Sequence, residues 1–408
     1  MKILSFGSCN IDYVYSVHHI VTPGETIAAS SVQSHPGGKG LNQSVALARA
    51  EADVCFAGCI GEDGKHLINF MQASGVDVSL VQTVDDKTGQ AFIQVSEHGE
   101  NSIVIYHGAN YRVTNDYIDR VLACFDQGDF LILQNEINAI DYLIDRAYAR
   151  GLQIVLNPSP FDEKMEQVDL NKVAYLLLNE VEAAGYTQTT NSDESIAYIR
   201  SRVPALRVVL TLGSHGCIYF DTERLYTHPA FAVKTVDTTA AGDTFTGYFI
   251  AALARGRSVE KAIRSASAAA AIAVSREGAA SSIPFADEVK KQLSQLKPYA
   301  YNQKGEMINT VRIFFHTHYA DATLDALAKT LGYSKSYTIR WLKKNIGTSF
   351  SDLLMEYRCR AAAELLLGTD LAVSDIIDRV GYKNESFFRK IFAAQYGMSP
   401  LQYRKRGE

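Results

Sequence analysis

Three stretches of this 408-residue chain carry side chains suited to phosphate chemistry. In Val236-Asp237-Thr238-Thr239-Ala240-Ala241-Gly242-Asp243 a run of small residues leads into Thr244–Ile250, which predicts a loop that opens a helix. Small residues let backbone N–H groups approach an anion, and the helix dipole favours negative charge there. A carboxylate at the end of such a loop, Asp243, stands beside a phosphate and can orient an alcohol and accept its proton during phosphoryl transfer. The alternative is that Asp243 is an ordinary first-turn carboxylate. Pro36-Gly37-Gly38-Lys39-Gly40-Leu41-Asn42-Gln43 is a glycine-rich loop running into a helix, but it is neither a Walker A motif nor a dinucleotide fingerprint. It also reads as a tight strand-to-helix turn, with Lys39 in solvent. The third stretch, Asn179-x-x-Glu182, is on its own a plain helix start.

These residues need a scaffold. Along residues 1–290, Lys2–Phe6, Val54–Ile60, Phe130–Gln134, Leu152–Asn157, Tyr175–Asn179 and Val208–Leu212 read as strands, separated by helical stretches such as Asn42–Ala50, Leu67–Ser74 and Ile140–Gly151. That alternation is the pattern of an α/β domain with a mostly parallel sheet. Gln90–Ser96 and Ser102–Tyr106 flank a polar turn and predict a hairpin acting as a lid or edge ribbon. After Pro284 the text turns polar, and 297–307 reads as a linker between domains 1–296 and 308–408.

The last quarter has a different character. Residues 1–300 carry 24 Lys+Arg against 34 Asp+Glu, whereas 301–408 carry 16 against 11. A basic module on an acidic one suits a nucleic-acid partner. Leu324–Leu331, the turn Gly332-Tyr333-Ser334 and Ser336–Asn345 form one helix-turn-helix pattern. Val373–Val380, Gly381-Tyr382-Lys383 and Asn384–Tyr396 form a second, joined to the first by Ser349–Leu367. The second helix of each unit would enter a major groove, so Ser336, Tyr337, Arg340, Asn384, Glu385 and Arg389 are the candidate DNA contacts. Each has the alternative of being an ordinary exposed helix residue. Trp341, Leu342 and Ile346 are expected in the first unit's core.

Composition excludes other classes. With 47% hydrophobic and 21% charged residues the chain can bury ordinary cores. Met1–Gly7 lacks a signal-peptide apolar region and no run of 18 apolar residues occurs, which argues against export and membrane readings. Cys9, Cys55, Cys59, Cys124, Cys217 and Cys359 have no paired spacing beyond Cys55-x3-Cys59 and read as reduced core thiols of a cytoplasmic protein. His18-His19 and His316-x-His318 lack further ligands nearby, which argues against metal there.

Taken in order, Asn10-Ile11-Asp12, Gly37–Gln43, Asn179-x-x-Glu182, Thr211-Leu212-Gly213-Ser214-His215-Gly216 and Asp237–Asp243 resemble the PfkB carbohydrate kinases, of the ribokinase-like kind, over about residues 1–292. The resemblance implies a ribokinase-like fold with a β lid and transfer of the ATP γ-phosphoryl group to a pentose hydroxyl, ribose O5 being nearest. It implies Asp243 as catalytic base and the amides of Ala241, Gly242 and Asp243 as an anion hole, with Ala240 counted among the catalytic positions. Asn10, Asp12, Gly38, Lys39, Asn42 and Glu136 fall on sugar-hydroxyl positions, and Asn179, Glu182, Thr211, Gly213 and Gly216 on the nucleotide side with Mg²⁺. A monovalent cation, K⁺, would be held by Asp237, Thr239, Ala273, Arg276, Gly278 and Ser282, mostly through carbonyls.

The C-terminal pattern, with Phe387-Phe388-Arg389-Lys390-Ile391-Phe392 and Gly397-Met398-Ser399-Pro400, resembles the all-α DNA-binding domain of the AraC/XylS family. Regulators of that kind sense their effector with a separate domain, and here the kinase-like portion stands in that position. The expectation is a sugar kinase whose occupancy or turnover modulates transcription, working as a possible homodimer through the lid. Its competitors are a non-catalytic sugar sensor on a kinase fold, and a kinase whose basic tail binds nucleic acid without sequence preference.

Overall fold

The computed structural model describes residues 1–98, 100–189, 192–298, 308, 310–312, 314–315, 318–369 and 371–405. The expected linker 297–307 lies, beyond Pro298, outside the described residues, as does His316. The chain forms two compact units. The first comprises Met1–Tyr186, Leu206–Tyr219 and Tyr226–Tyr299; the second gathers Thr187–Ala205 and Phe220–Leu225 with residues 300–408.

The first unit is built on an eight-stranded sheet, in spatial order Leu225–His228, Cys217–Phe220, Arg207–Thr211, Tyr175–Asn179, Gln153–Asn157, Phe130–Gln134, Ile3–Phe6 and Val54–Ala57. The strands from Arg207–Thr211 to Val54–Ala57 pair in parallel. Helices cover such a sheet on both faces, so its strands are continuously apolar; Phe130–Gln134 is buried at every position. Helices Lys39–Arg49, Ala241–Ala254 and Val259–Val274 share one core with the sheet through Leu41, Val45, Phe245, Phe249, Ile263 and Ala266.

The stretch Val54–Ile60, expected as one strand, is two. Val54–Ala57 pairs with Ile3–Phe6, and Cys59–Ile60 leaves the main sheet to pair with Gln82–Thr83. The break falls at Gly58, where a side chain would collide with the Gly7 carbonyl. The hairpin Gly89–Ser96 and Asn101–Tyr106 is present. It is half of a four-stranded sheet completed by Ser31–Gly37 and Asn10–Val17, two strands that polarity alternation alone did not reveal. Tyr13 stacks on Phe92 across this sheet at 5.7 Å.

The second unit carries the helices Leu324–Leu331, Lys335–Asn345, Phe350–Gly368, Val373–Arg379, Glu385–Tyr396 and Pro400–Lys405. Thr323, Ser334 and Asn384 each cap the helix that follows, and Ser349 forms a capping box with Asp352. Two cores result. One holds Phe315, Leu327, Trp341, Leu342 and Leu353, with Ile346 packed beside it; the other holds Cys359, Leu366, Ile376, Ile377, Phe388 and Phe392. The helix Phe350–Gly368 contributes to both. Its Arg358 donates to the carbonyls of Tyr319 at 2.8 Å and Ala320 at 2.9 Å and lies over the Tyr382 ring, so it ties the two helix-turn-helix units together.

All six cysteines are free. Cys9, Cys59, Cys217 and Cys359 are buried and Cys55 is half-buried, but Cys124, past the end of helix Asn115–Leu122, is exposed, so the reading of all six as core thiols does not hold for it. Among the described residues, no helix is long and apolar enough to cross a membrane.

Candidate active site and nucleic-acid interface

Parallel sheets place ligands at the carboxyl ends of their strands, and the chemistry-bearing residues of the first unit collect there. Helix Ala241–Ala254 starts after Ala240, which adopts a left-handed conformation (φ 58°). The amides of Gly242 and Asp243 therefore belong to a first turn with no carbonyl a turn earlier to receive them. The Ala241 amide donates to the Thr238 carbonyl at 3.3 Å, which fixes the loop. Gly247, one turn further on, has no room for a side chain against Ala46 and Leu47. That close approach brings helix Lys39–Arg49 alongside, and with it two amide side chains. Asn42 Nδ2 donates to Asp243 Oδ2 at 3.0 Å, and Gln43 Nε2 donates to Asp243 Oδ1 at 2.9 Å. Asp243 is thus buried yet held as an acceptor with both oxygens aimed.

A cavity of about 200 Å³ opens beside it, and Lys39, Asn179, Glu182, Thr211, Ala240, Ala241, Gly242 and Asp243 are among its lining residues. Asn179 and Glu182 brace one another: the Glu182 amide donates to Asn179 Oδ1 at 2.9 Å, and Glu182 accepts from the Asn179 amide and side chain. Gly213 and Gly216 do not line this cavity. They shape the turn after Thr211, where Gly216 (φ 89°) leaves no space for a side chain against His228 and Ala230.

The polyol-side residues adjoin. Glu136 accepts from Ser8 Oγ and, at 3.0 Å, from the Lys39 amide. Asn10 accepts from Asn110 Nδ2 at 2.7 Å. Gly38, at φ 89°, lets the strand Ser31–Gly37 turn into the helix in one residue. Burial pushes the Asp12 carboxyl up to about 7, reinforced by Glu136 and Asp243. Burial works against the Lys39 ammonium, but Asp243, Glu136 and Glu182 outweigh it and hold it above the usual lysine value. Asn42 Oδ1 is buried without a hydrogen-bond partner. Three acidic side chains, Asp12, Glu136 and Asp243, thus lie near one another with the Lys39 ammonium among them, a set that suits a ligand bearing several hydroxyl groups. Gly37 sits where a methyl group would run into the Asp12 carboxylate. If Asp12 contacts the polyol that the sequence resemblance implies, Gly37→Ala is expected to raise KM for that polyol about tenfold or more with a smaller effect on KM for the phosphate donor, a split that steady-state kinetics would read.

Behind the anion loop, Asp237 stitches two segments together. Its Oδ1 accepts from the Thr239 amide at 2.8 Å, and its Oδ2 accepts from the Gly278 amide at 3.0 Å. The Arg276 amide donates to the Ala273 carbonyl at 3.1 Å, and Ser282 Oγ donates to Ala279. Of the six residues expected to hold a monovalent cation, Asp237 and Thr239 thus lie on one loop, Ala273 in the last turn of helix Val259–Val274, and Arg276, Gly278 and Ser282 in the segment after it. Sequence reasoning missed Ser8, Gln43, Gln134 and Asn157, which complete the network: Gln134 Nε2 donates to Gln43 Oε1 at 2.8 Å, and Gln43 Nε2 also reaches Asn157 Oδ1 at 3.1 Å. The strand-end rule would have found Gln134 and Asn157, both last residues of parallel strands.

The family model for pfkB carbohydrate kinases matches residues 1–286, and one for a helix-turn-helix domain matches residues 327–406. This chain belongs to the pfkB family of carbohydrate kinases. A ribokinase from Haemophilus influenzae is 38% identical over 291 residues, covering 69% of this chain and 95% of the relative. Among solved structures, Cryptococcus neoformans ribokinase in complex with ADP is 32% identical with a TM-score of 0.64, covering 71% of this chain and 99% of that one. Arabidopsis thaliana ribokinase complexed with ribose and ATP is 30% identical, also with a TM-score of 0.64, covering 72% of this chain and 98% of that one.

The kinase carries its helix-turn-helix units as an AraC-type module. Ser336, Tyr337 and Arg340 lie exposed on helix Lys335–Asn345, opposite buried Thr338, Trp341 and Leu342. Tyr337 stacks on Tyr333 at 4.5 Å. In the second unit Asn384 Oδ1 receives the Phe387 amide at 3.0 Å, so its cap role leaves only the Nδ2 group to reach outward. Arg389 pairs with Glu385 at 3.3 Å on an exposed face. Phe387, half exposed on the same helix, is a surface aromatic that the sequence reading did not single out. Of the histidines, His18 pairs with Glu97 and His19 with Glu25. Among the described residues no cluster of three or more His, Cys, Asp or Glu is arranged for a metal.

Proposed function

We propose that this chain transfers the γ-phosphoryl group of ATP to a pentose hydroxyl, ribose O5 first, and that sugar occupancy or turnover adjusts how its C-terminal module binds specific DNA in the cytoplasm. The observation that carries the reading is Asp243 at the foot of a helix N-terminus, lining a cavity with Lys39, and near enough to Asp12, as Glu136 is, to help raise the Asp12 carboxyl. The named ligands of relatives, ADP in one and ribose with ATP in another, agree with it.

In this scheme Asp243 takes the proton of the sugar hydroxyl as its oxygen bonds to the γ-phosphorus, and the bond from that phosphorus to the β,γ-bridging oxygen breaks, releasing ADP. The amides of Gly242 and Asp243 and the Lys39 ammonium stabilise charge on the transferred group. Glu182, braced by Asn179, would hold a nucleotide-borne Mg²⁺ through water, and the ion would neutralise phosphate charge. Carbonyl oxygens of the segments 237–239 and 273–282, which Asp237 ties together, would hold K⁺, and its charge would support the anion loop. Homodimerisation is part of the proposal: Ile103 and Val104 leave an apolar strip exposed on the outer lid strand.

The competing sensor reading has no use for an aimed carboxylate at Asp243. The test is ATP consumption against a panel of pentoses, hexoses and nucleosides with Mg²⁺ and K⁺, with Asp243→Asn as control. Ribose turnover that vanishes in the control supports the proposal; no turnover, with a sugar still raising Tm, favours the sensor.

Sugar affinity should also depend on pH. Hydroxyl donors favour the ionised form of Asp12, whose carboxyl is held near 7 before the sugar arrives. Binding should then release a proton below that value, so affinity should rise as pH increases toward about 7 and level off above it. Calorimetric titration in two buffers of different ionisation enthalpy checks this; the same affinity at low and neutral pH would contradict it.

A further inference from the structure

The second compact unit contains a cavity of about 340 Å³ that none of the chemistry above uses. Arg200, Glu223, Tyr319, Tyr357, Arg360 and Glu364 line most of its polar wall. Arg200 comes from the helix Ser192–Arg202, while Tyr357, Arg360 and Glu364 come from the helix Phe350–Gly368 that joins the two helix-turn-helix units.

Both guanidinium groups are anchored by contacts outside the cavity's needs. Arg200 Nη2 donates to the carbonyls of Asp221 at 2.9 Å and Arg224 at 2.8 Å. Arg360 Nη2 donates to Glu356 at 3.0 Å, and its guanidinium lies over the Tyr357 ring. Yet Arg200 Nε and Arg360 Nη1 are buried with no acceptor. Buried N–H groups are rarely left so, least of all charged ones, and two guanidinium groups so incompletely compensated, both lining one cavity, favour an anion within it. Glu364 does not fill that role: among the described residues it makes no ion pair. Burial pushes its carboxyl up to about 7, with Arg200 and Arg360 only partly offsetting the shift. Near neutrality it is partly protonated, so it offers a donor to an incoming anion. The other carboxylate of the wall, Glu223, is exposed and screened by solvent.

The cavity is much larger than a bare phosphate, and Thr222, Tyr319 and Glu223 add groups that can bond hydroxyls. We propose that it is a second ligand site, which takes a small phosphorylated metabolite with its phosphate between Arg200 and Arg360. Such a ligand would brace the helix Ser192–Arg202 against the helix that spaces the two DNA-reading units, and so bias their arrangement. The site stands on its own geometry. Its meaning as a sensor of the kinase's own sugar phosphate rests on the function proposed above.

Equilibrium dialysis of the full chain against labelled ribose 5-phosphate tests it, comparing wild type with Arg200→Gln/Arg360→Gln and with Thr222→Trp, which obstructs the rim. Each variant is expected to bind one equivalent fewer per chain than wild type, with sugar turnover unchanged. Ribose 5-phosphate should alter promoter affinity in wild type and not in the variants. Displacement of the lost equivalent by inorganic phosphate at matched concentration would make the phosphate group alone the ligand; failure to displace it would make the sugar phosphate the ligand. Equal stoichiometry in wild type and both folded variants overturns the proposal. Absence of sugar turnover would sink the kinase reading instead, and leaves this count intact.

Discussion

Asp243→Asn is expected to lower kcat for sugar phosphorylation by about 10²–10⁴-fold, the range that general-base catalysis contributes, while sugar and DNA binding persist. The carboxylate accepts one hydrogen bond on each oxygen, from Asn42 and from Gln43. An asparagine keeps one acceptor oxygen and turns an NH₂ group toward the other donor, so one of the two contacts is lost and a donor faces a donor. That cost falls on the position of the side chain rather than on the fold, because the packing around Gly247 and Phe249 is untouched. The substitution should therefore separate chemistry from binding. Turnover, the sugar dissociation constant and Tm measured on one preparation decide it: near-wild-type turnover would remove Asp243 from the role of base, and loss of sugar affinity along with turnover would make it chiefly a binding residue.

Much of this site was legible because its chemistry lies in local motifs. The small-residue run before Asp243 and the glycines before Lys39 announce loops at helix starts, and a helix start is a property of a few adjacent residues. What escaped the sequence depends on approach between distant segments. Gln43 looks like any polar helix residue until Gly247 lets two helices close on each other and turns it onto Asp243. Asn10–Val17 does not alternate in burial, because both its ends are buried and its middle is half-buried throughout, so its place in the lid sheet was invisible. The position of helix Ser192–Arg202 is of the same kind. Its neighbours in sequence form the kinase sheet, but its compact unit is the C-terminal one, and nothing in Ser192–Arg202 itself signals that choice.

Arg389→Ala is expected to weaken promoter binding by about 1–3 kcal/mol, roughly 5–150-fold, and to leave sugar turnover at the wild-type level. The pattern of helix Glu385–Tyr396 supplies the reason. Phe388 and Phe392 are fully buried in the second unit's core, which fixes the rotation of the helix and turns Arg389 outward. Asn384 pins the start of the helix, and Glu385 holds the guanidinium at 3.3 Å. A tethered arginine has less freedom to lose on reaching a guanine edge than a free one, and its planar fork suits bidentate contact. If Arg389 touched only phosphate, its removal would weaken promoter and random DNA equally and reduce the salt slope; if it reads a base, the loss should be confined to the promoter. Competition binding with promoter and scrambled duplexes at two salt concentrations separates these outcomes. A uniform loss would return the module to a basic tail that concentrates the kinase on nucleic acid, whereas a promoter-confined loss would make the second helix-turn-helix unit a sequence reader whose affinity a sugar ligand can then adjust.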